Sequence, residues 1–358
     1  MEFVNLIISR TPYRISFFGG GTDYPAWYLK YGGQVLATTI NKYCYITCRY
    51  LPPFFEHRIR IVYSRTEMCQ TVDEIAHPAV REVLRFLNVE HGVEIHHDGD
   101  LPARSGIGSS SSFTVGMLHA CHALKGHMPT RKQLSAEAIK IEQEMLKETV
   151  GSQDQVMAAY GGFNHVSFGQ DGSIGVRPVT ILPARLGELN SHLMLLFTGF
   201  VRTASTVATS WVEDVEKLAP QYRTMSQMVD EAITLLSGRR DIAEFGRLLN
   251  EGWKAKRSLS SGVSNNVIDD AYGAAMGAGA LGGKLVGAGG GGFMLLFAPP
   301  ERQEAVRERL HEFLHVPFKF DADGSQIAFH DPEEDYSDLH AQRAGRHIPA
   351  FKDVAMLR

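Results

Sequence analysis

The run Leu101-Pro102-Ala103-Arg104-Ser105-Gly106-Ile107-Gly108-Ser109-Ser110-Ser111-Ser112 has the chemistry of an anion cradle. The first turn of a helix leaves backbone N–H groups without intrahelical acceptors, and the helix dipole adds partial positive charge at that end. Gly106 and Gly108 carry no Cβ, so the backbone there can close on a ligand. The plainer alternative is that Ser109 to Ser112 cap a helix, although four serines behind two glycines exceed what one cap needs.

Two other segments hold charged groups at useful spacing. In Arg10-Thr11-Pro12-Tyr13-Arg14 through Gly19-Gly20-Gly21-Thr22-Asp23-Tyr24, a strand runs into a tight turn that can present Asp23 to a ligand, while Arg14 supplies fixed positive charge. A bare turn and a surface ion pair account for the same residues. The segment Thr149-Val150-Gly151-Ser152-Gln153-Asp154-Gln155 follows a helical stretch carrying Glu142, Glu144 and Glu148. Three and four positions from Glu142 stand Ala138, Ile139, Met145 and Leu146, so its carboxylate belongs to the apolar face. Glu144 instead neighbours Lys140 and Lys147, as on a solvated face. An inward carboxylate needs a partner, either a magnesium ion beside a phosphate cradle or an internal arginine.

The elements that must position these groups follow from periodicity. Val93 and Ile95 alternate as in a strand before the cradle, and Phe113, Val115, Met117, Leu118, Cys121 and Leu124 recur at mostly helical spacing after it. From Asn5 to about Cys69 the pattern is mainly extended. Helical periodicity is expected around 78–87 and from Arg131 to Thr149, then an extended stretch over 162–168 that ends at the turn Gly169-Gln170-Asp171-Gly172. Around Pro183 to Asn190 the chain is expected to break, then to restart as a strand over 192–197. Helices are expected over 204–218 and 222–236, and a glycine-rich segment with its strand over 282–297. A domain boundary is placed near residue 187, giving regions 1–187 and 188–330, and the polar residues 331–358 read as a surface tail. No internal repeat is evident.

Two common phosphate motifs are excluded. No glycine followed by four residues and Gly-Lys-Ser/Thr occurs, so there is no P-loop of that kind. Gly287-Ala288-Gly289-Gly290-Gly291-Gly292 has dinucleotide spacing, but it leads into the strand-like Phe293-Met294-Leu295-Leu296-Phe297 where that fingerprint should open a helix.

The chain has 358 residues, enough for two domains. Its net charge of −4, from 36 basic and 40 acidic residues with no long basic block, gives no footprint for nucleic acid. Cys44, Cys48, Cys69 and Cys121 are too few and too irregular for a disulfide scaffold. Core packing is the expectation for Cys44 and Cys48, for His96 and His97, and for His119, Cys121 and His122. Met1 to Arg10 hold only a short apolar run with no basic leader, so the expected location is the cytoplasm, with no membrane span.

The three charged segments, with Lys284-Leu285-Val286-Gly287 through Gly292, resemble in content and order the motifs of the GHMP kinases, over residues 8 to about 330. Pro102 through Ser110 resembles their ATP-phosphate loop, and Thr11 through Tyr24 the galactokinase substrate segment. Galactokinases have Gly-Glu-His where Gly19-Gly20-Gly21 stand here, which removes bulk and negative charge. Together with Gln153-Asp154-Gln155, Tyr160-Gly161-Gly162-Phe163-Asn164 and Gly287 to Phe293, this resembles the branch that phosphorylates D-glycero-D-manno-heptose 7-phosphate. The resemblance implies an α+β GHMP kinase fold, with an N-terminal domain like ribosomal protein S5 domain 2 and a C-terminal ferredoxin-like domain. It implies ATP and Mg²⁺ as cofactors and a small sugar phosphate as the substrate, and it leaves a homodimer open. By the same resemblance Asp154 would orient or deprotonate the acceptor hydroxyl, and Arg14 would hold Asp154 ionised and stabilise charge on the transferred phosphoryl group. Ser110 and Glu142 would hold Mg²⁺. Pro102, Gly106, Ile107, Gly108, Ser109, Ser110 and Ser111 would meet ATP; Gly19, Gly20, Gly21, Thr22, Asp23, Gly289 and Gly290 would meet the sugar. A basic residue for the substrate's own phosphate is not derivable, with Arg202, Lys254 and Arg257 as candidates. The alternatives are a kinase for L-fucose or a galactose-like sugar, a lyase on the same fold, or a non-catalytic sugar sensor.

Overall fold

The structure, a computed structural model, describes residues 6–52, 55–89, 92–200, 208, 209, 212 and 214–331. Among these residues the strands form a nine-stranded and a four-stranded sheet. The first is built around two long strands, β1 (Leu6–Phe18) and β2 (Gly33–Tyr50), paired antiparallel and joined through the glycine turn and α1 (Pro25–Tyr31). Pro12 cannot donate to the ladder, and the register slips between Pro12 and Tyr13, two residues before Arg14. Strands β3 (Ile59–Val62), β4 (Thr66–Cys69) and β5 (Val93–Gly99) extend one side of the sheet, with β3 and β5 parallel. The hairpin β6 (Phe163–Phe168) and β7 (Ile174–Pro178) continues from β2.

Helices α2 (Pro78–Phe86), α3 (Ser109–Leu124), α4 (Arg131–Lys140) and α5 (Gln153–Tyr160) cover this sheet. The helix expected to run unbroken to Thr149 does not. After α4 the chain widens into a π turn, Ile141–Met145, and Lys147 takes a left-handed conformation (φ 55°). Such wide turns cluster at functional positions, and this one carries Glu142.

The expected break at Pro183 to Asn190 is instead a helix, α6 (Pro183–Ser191). Pro183 stands in its first turn, where a missing N–H costs nothing. Then come β8 (Leu193–Phe197), α7 (Ala219–Ser237), α8 (Ala243–Arg257), α9 (Asn266–Gly277), β9 (Gly282–Leu285), β10 (Phe293–Phe297), α10 (Gln303–Arg309) and β11 (Leu314–His315). The second sheet has the order β11-β8-β10-β9. The helix expected over 204–218 and the tail over 332–358 lie mostly or wholly outside the described residues.

The chain then returns to the first sheet. Strand β12 (Phe320–Asp321) pairs with β2, and β13 (Gln326–Asp331) pairs with β1. Both halves therefore share one core, in which Phe17 and Phe18 pack edge-on against Phe245 at ring separations of 5.5 and 5.2 Å. All four cysteines are free and buried, and the described residues hold no group of three or more His, Cys, Asp and Glu placed to share a metal ion. No described helix is long and apolar enough to cross a membrane.

Candidate active site

The glycine loop is fixed in shape by three left-handed residues, Arg104, Gly106 and Gly108, with φ of 59°, 86° and 73°. A Cβ on Gly106 would stand 2.3 Å from the Val286 carbonyl oxygen, and one on Gly287 would stand 2.5 Å from the Gly106 carbonyl oxygen. The loop thus lies backbone to backbone on the second glycine segment. Gly108 precedes α3, whose first turn has no side-chain cap. The serines do other work: Ser109 accepts the Arg104 N–H at 3.1 Å, Ser111 donates to Glu142 at 2.9 Å, and Ser112 donates to the Pro12 carbonyl at 2.9 Å. Ser110 is exposed in the cleft. The N–H groups of this turn are left for an anion.

Beneath the loop sits the charge pair. Arg14 Nε and Nη2 donate to the two carboxylate oxygens of Asp154 at 2.8 and 2.7 Å, and Nη1 donates to the Gly106 carbonyl at 2.7 Å. The two parallel bonds are the strong, planar form of this contact. Arg14 is buried, while a quarter of the Asp154 side chain is exposed. Asp154 lies in the first turn of α5, where the helix dipole favours a carboxylate.

Asp23 braces the glycine turn against the start of α5. It accepts the Gly21 N–H at 2.8 Å and the Gln153 N–H at 3.3 Å. Burial pushes its carboxyl up to about 6, and the nearby charge of Asp154 acts in the same direction. Next to it, Ser16 Oγ and Gln153 Oε1 are buried with no hydrogen-bonding partner among the described residues. Both residues line the cleft.

Glu142 is fully buried and lines the same cleft. One carboxylate oxygen accepts from Ser111 at 2.9 Å and Gln155 at 2.5 Å, while the other has no partner among the described residues. Burial pushes this carboxyl up to about 7. A buried carboxylate with one oxygen unpaired, bonded to the Ser111 hydroxyl and opening on the cleft that Ser110 also lines, is a donor set that suits a hard divalent cation.

These groups share one cleft of about 920 Å³. At one end stand Ser16, Gly20, Gly21, Asp23 and Gln153. At the other end the His77 ring stacks on Phe113 at 4.9 Å, and Tyr63 and His97 meet these rings edge-on. Burial lowers both histidines below the ordinary range, so both are neutral near pH 7.

The structure places the remaining motif residues in different ways. Gly19 is packed against the Gln34 carbonyl, and the Thr22 hydroxyl donates to the Gly19 and Gln34 carbonyls, so both build the turn and do not face the cleft. Gly289 and Gly290 are held on Val263, through close backbone packing and a 2.8 Å hydrogen bond; Gly287 and Ala288 reach the cleft instead. Ile107 is buried, with its carbonyl on the Arg14 N–H, and Pro102 receives the Ser105 hydroxyl at 2.6 Å. Both shape the loop without lining the cleft. Glu142 is bonded to Ser111, with Ser110 beside it. Among the candidate basic residues, Lys254 pairs with Glu251 and Arg257 with Asp269, both away from the cleft, and Arg202 lies outside the described residues. Lys256 and Lys284 line the cleft, and no motif singled them out for a role.

Comparison with known proteins agrees with this geometry. Residues 74–162 match the family described as GHMP kinases N terminal domain, and residues 214–316 match GHMP kinases C terminal. The chain is 29% identical over 315 residues to D-glycero-alpha-D-manno-heptose 7-phosphate kinase of Campylobacter jejuni, covering 83% of this chain and 91% of that protein. Among solved structures it is similar to a D-glycero-D-manno-heptose 1-phosphate kinase from Bacteroides thetaiotaomicron, at 27% identity and TM-score 0.72, covering 89% of this chain and 98% of that one. Galactokinase from Lactococcus lactis, solved with galactose, shares the fold at 16% identity and TM-score 0.69, covering 90% and 95%.

Proposed function

Because the chain belongs to the GHMP kinases and is a sugar kinase, we propose that it transfers the γ-phosphoryl group of ATP to the anomeric hydroxyl of D-glycero-D-manno-heptose 7-phosphate. The products would be heptose 1,7-bisphosphate and ADP. The observation that carries this reading is the Arg14–Asp154 pair, seated between an uncapped helix N-terminus and the polar corner at Asp23. A candidate base, a phosphate cradle and a polar corner for the sugar line one cleft, which supports a direct transfer between bound substrates.

In this reading Asp154 takes the proton of the anomeric hydroxyl as its oxygen bonds to the γ-phosphorus. The bond from that phosphorus to the β–γ bridging oxygen breaks, and ADP leaves with the electron pair. An anomeric hydroxyl is more acidic than an ordinary alcohol, so a carboxylate base suffices. Arg14 keeps Asp154 oriented through its two parallel hydrogen bonds. Backbone N–H groups from Gly106 to Ser111 hold the phosphates. Glu142 and the Ser110 and Ser111 hydroxyls would hold Mg²⁺, which neutralises charge on the ATP phosphates when bound. Asp23, Gln153 and Ser16 offer acceptors and donors to sugar hydroxyls. The His77–Phe113 end provides flat, neutral surfaces for adenine.

The test is Mg²⁺-dependent ADP release with D-glycero-D-manno-heptose 7-phosphate, beside L-fucose and galactose, with phosphorus NMR on the product. A new anomeric phosphate on the heptose alone is the expected result. Turnover with a neutral sugar alone would keep the kinase and discard the phosphosugar acceptor.

A further inference from the structure

Lys256 stands at the C-terminal end of α8, between Lys254 and Arg257, which lie on the outer surface. Its own side chain is buried, with only 7% of the residue exposed, and it lines the active-site cleft. Its ammonium group donates to the Gly287 carbonyl, and it makes no ion pair among the described residues. An ammonium has three donors; the Gly287 carbonyl takes one, while the Asp23 and Asp154 carboxylates act on its charge from beyond ion-pair distance, which leaves donors for an anion. Gly287 is the residue laid against Gly106 in the phosphate loop. Lys256 is therefore tethered at the seam between the phosphate cradle and the Arg14–Asp154 pair.

Arg65 and Arg104 also line the cleft but are exposed, and its two other buried cations, Arg14 and Lys284, are already engaged. Arg14 directs three hydrogen bonds to Asp154 and to the Gly106 carbonyl, and its charge is offset by the carboxylate. Lys284 gives its ammonium to two main-chain carbonyls, those of Ser16 and Phe17, both at 2.9 Å. A phosphoryl group crossing from ATP to the acceptor carries negative charge on its equatorial oxygens, and those oxygens need a preorganised cation. We propose that Lys256 supplies it, as the residue that contacts the phosphoryl group in flight between ADP and the acceptor oxygen.

This proposal rests on the kinase reading above. The full-length protein is compared with Lys256→Gln and Lys256→Arg, after thermal melts establish that each variant is folded. With Gln, kcat falls about 100-fold, as on loss of one preorganised donor to a transition state. KM for ATP and for the acceptor stays within about threefold, as when the lost contact exists only in the transition state. Arg restores at least about tenfold of the loss, since a cation is present again. A second readout is the affinity for ADP·Mg²⁺ with and without aluminium fluoride, which mimics the phosphoryl group in flight: Gln weakens only the fluoride complex. A rise in KM for the phosphorylated acceptor with kcat intact would assign Lys256 to the acceptor's own phosphate and overturn the proposal. Equal weakening of both ADP complexes, or unchanged kinetics, would also overturn it. Should only another sugar be turned over, the heptose assignment fails and the kinetics are run on that sugar. Should no acceptor react, the acceptor reading fails and the fluoride comparison still decides Lys256.

Discussion

Asp154 meets Arg14 through two parallel hydrogen bonds and packs beside Gly108, but among the described residues it makes no hydrogen bond to the loop that would hold ATP. Asp154→Asn is therefore expected to lower turnover by roughly 10³-fold, within the range of a lost general base. ATP affinity measured by titration calorimetry should stay within about twofold, because the cradle is untouched; near-normal turnover would remove Asp154 from its role. Glu142 makes a prediction in stability. Its carboxyl sits at about 7 in the fold against an ordinary 4.5, and Asp23 at about 6 against 3.8. Between these values the folded chain binds more protons than the unfolded chain, so stability falls as pH rises from the ordinary carboxylate range to about 7, then stays reduced. Metal-free protein should melt at a lower temperature at pH 8 than at pH 5. Glu142→Gln should melt higher than the parent at pH 8, and added Mg²⁺ should no longer raise its melting temperature; an equal Mg²⁺ response in both would place the ion elsewhere. The inward direction of Glu142 was legible from its apolar neighbours three and four positions away, because burial leaves a periodic trace. Lys256 left no such trace, since Lys254-Ala255-Lys256-Arg257 reads as a solvated helix end until the second glycine segment is laid beside it.

At the scale of elements, the site depends on places where two backbones touch. Gly151, just before α5, is one: a Cβ there would stand 1.9 Å from an Asp23 carboxylate oxygen. Gly151→Ala must push Asp23 away from α5, so KM for the sugar should rise by at least about tenfold, while KM for ATP changes little, as expected when binding of one substrate is lost. An equal effect on both would show that the whole helix had moved. Contacts of this kind also explain what the motifs concealed. A glycine run in sequence announces tight backbone geometry, but not its direction: Gly287 faces the cleft, whereas Gly289 and Gly290 lean on Val263. Thr22 likewise reads as a ligand in its motif and serves as a clamp within the turn. Many of the strands and helices were legible in the patterning because the two have different periods. The π turn after α4 was not, because its residues keep helical spacing while one extra residue is absorbed.

At the scale of the whole molecule, β12 and β13 tie residues 320–331 into the sheet that begins the chain. Ser325 strengthens the closure, with its hydroxyl 2.8 Å from the Thr11 hydroxyl and 3.0 Å from His119. A chain ending at residue 318 loses the strand that covers β1, and should unfold in denaturant at a lower midpoint and with a broader transition than the full chain. Coincident transitions would mean that the first sheet is independent of its last strand. The same return has a consequence for synthesis. A ribosome delivers β13 some three hundred residues after β1, so a nascent chain must hold an unpaired strand edge open over that stretch of synthesis. The Arg14 end of that strand cannot become a finished active site until β9 and the second glycine segment have also emerged. The enzyme is thus completed late and all at once, and its newborn form, more than its folded form, is where crowding and chaperones have their hold.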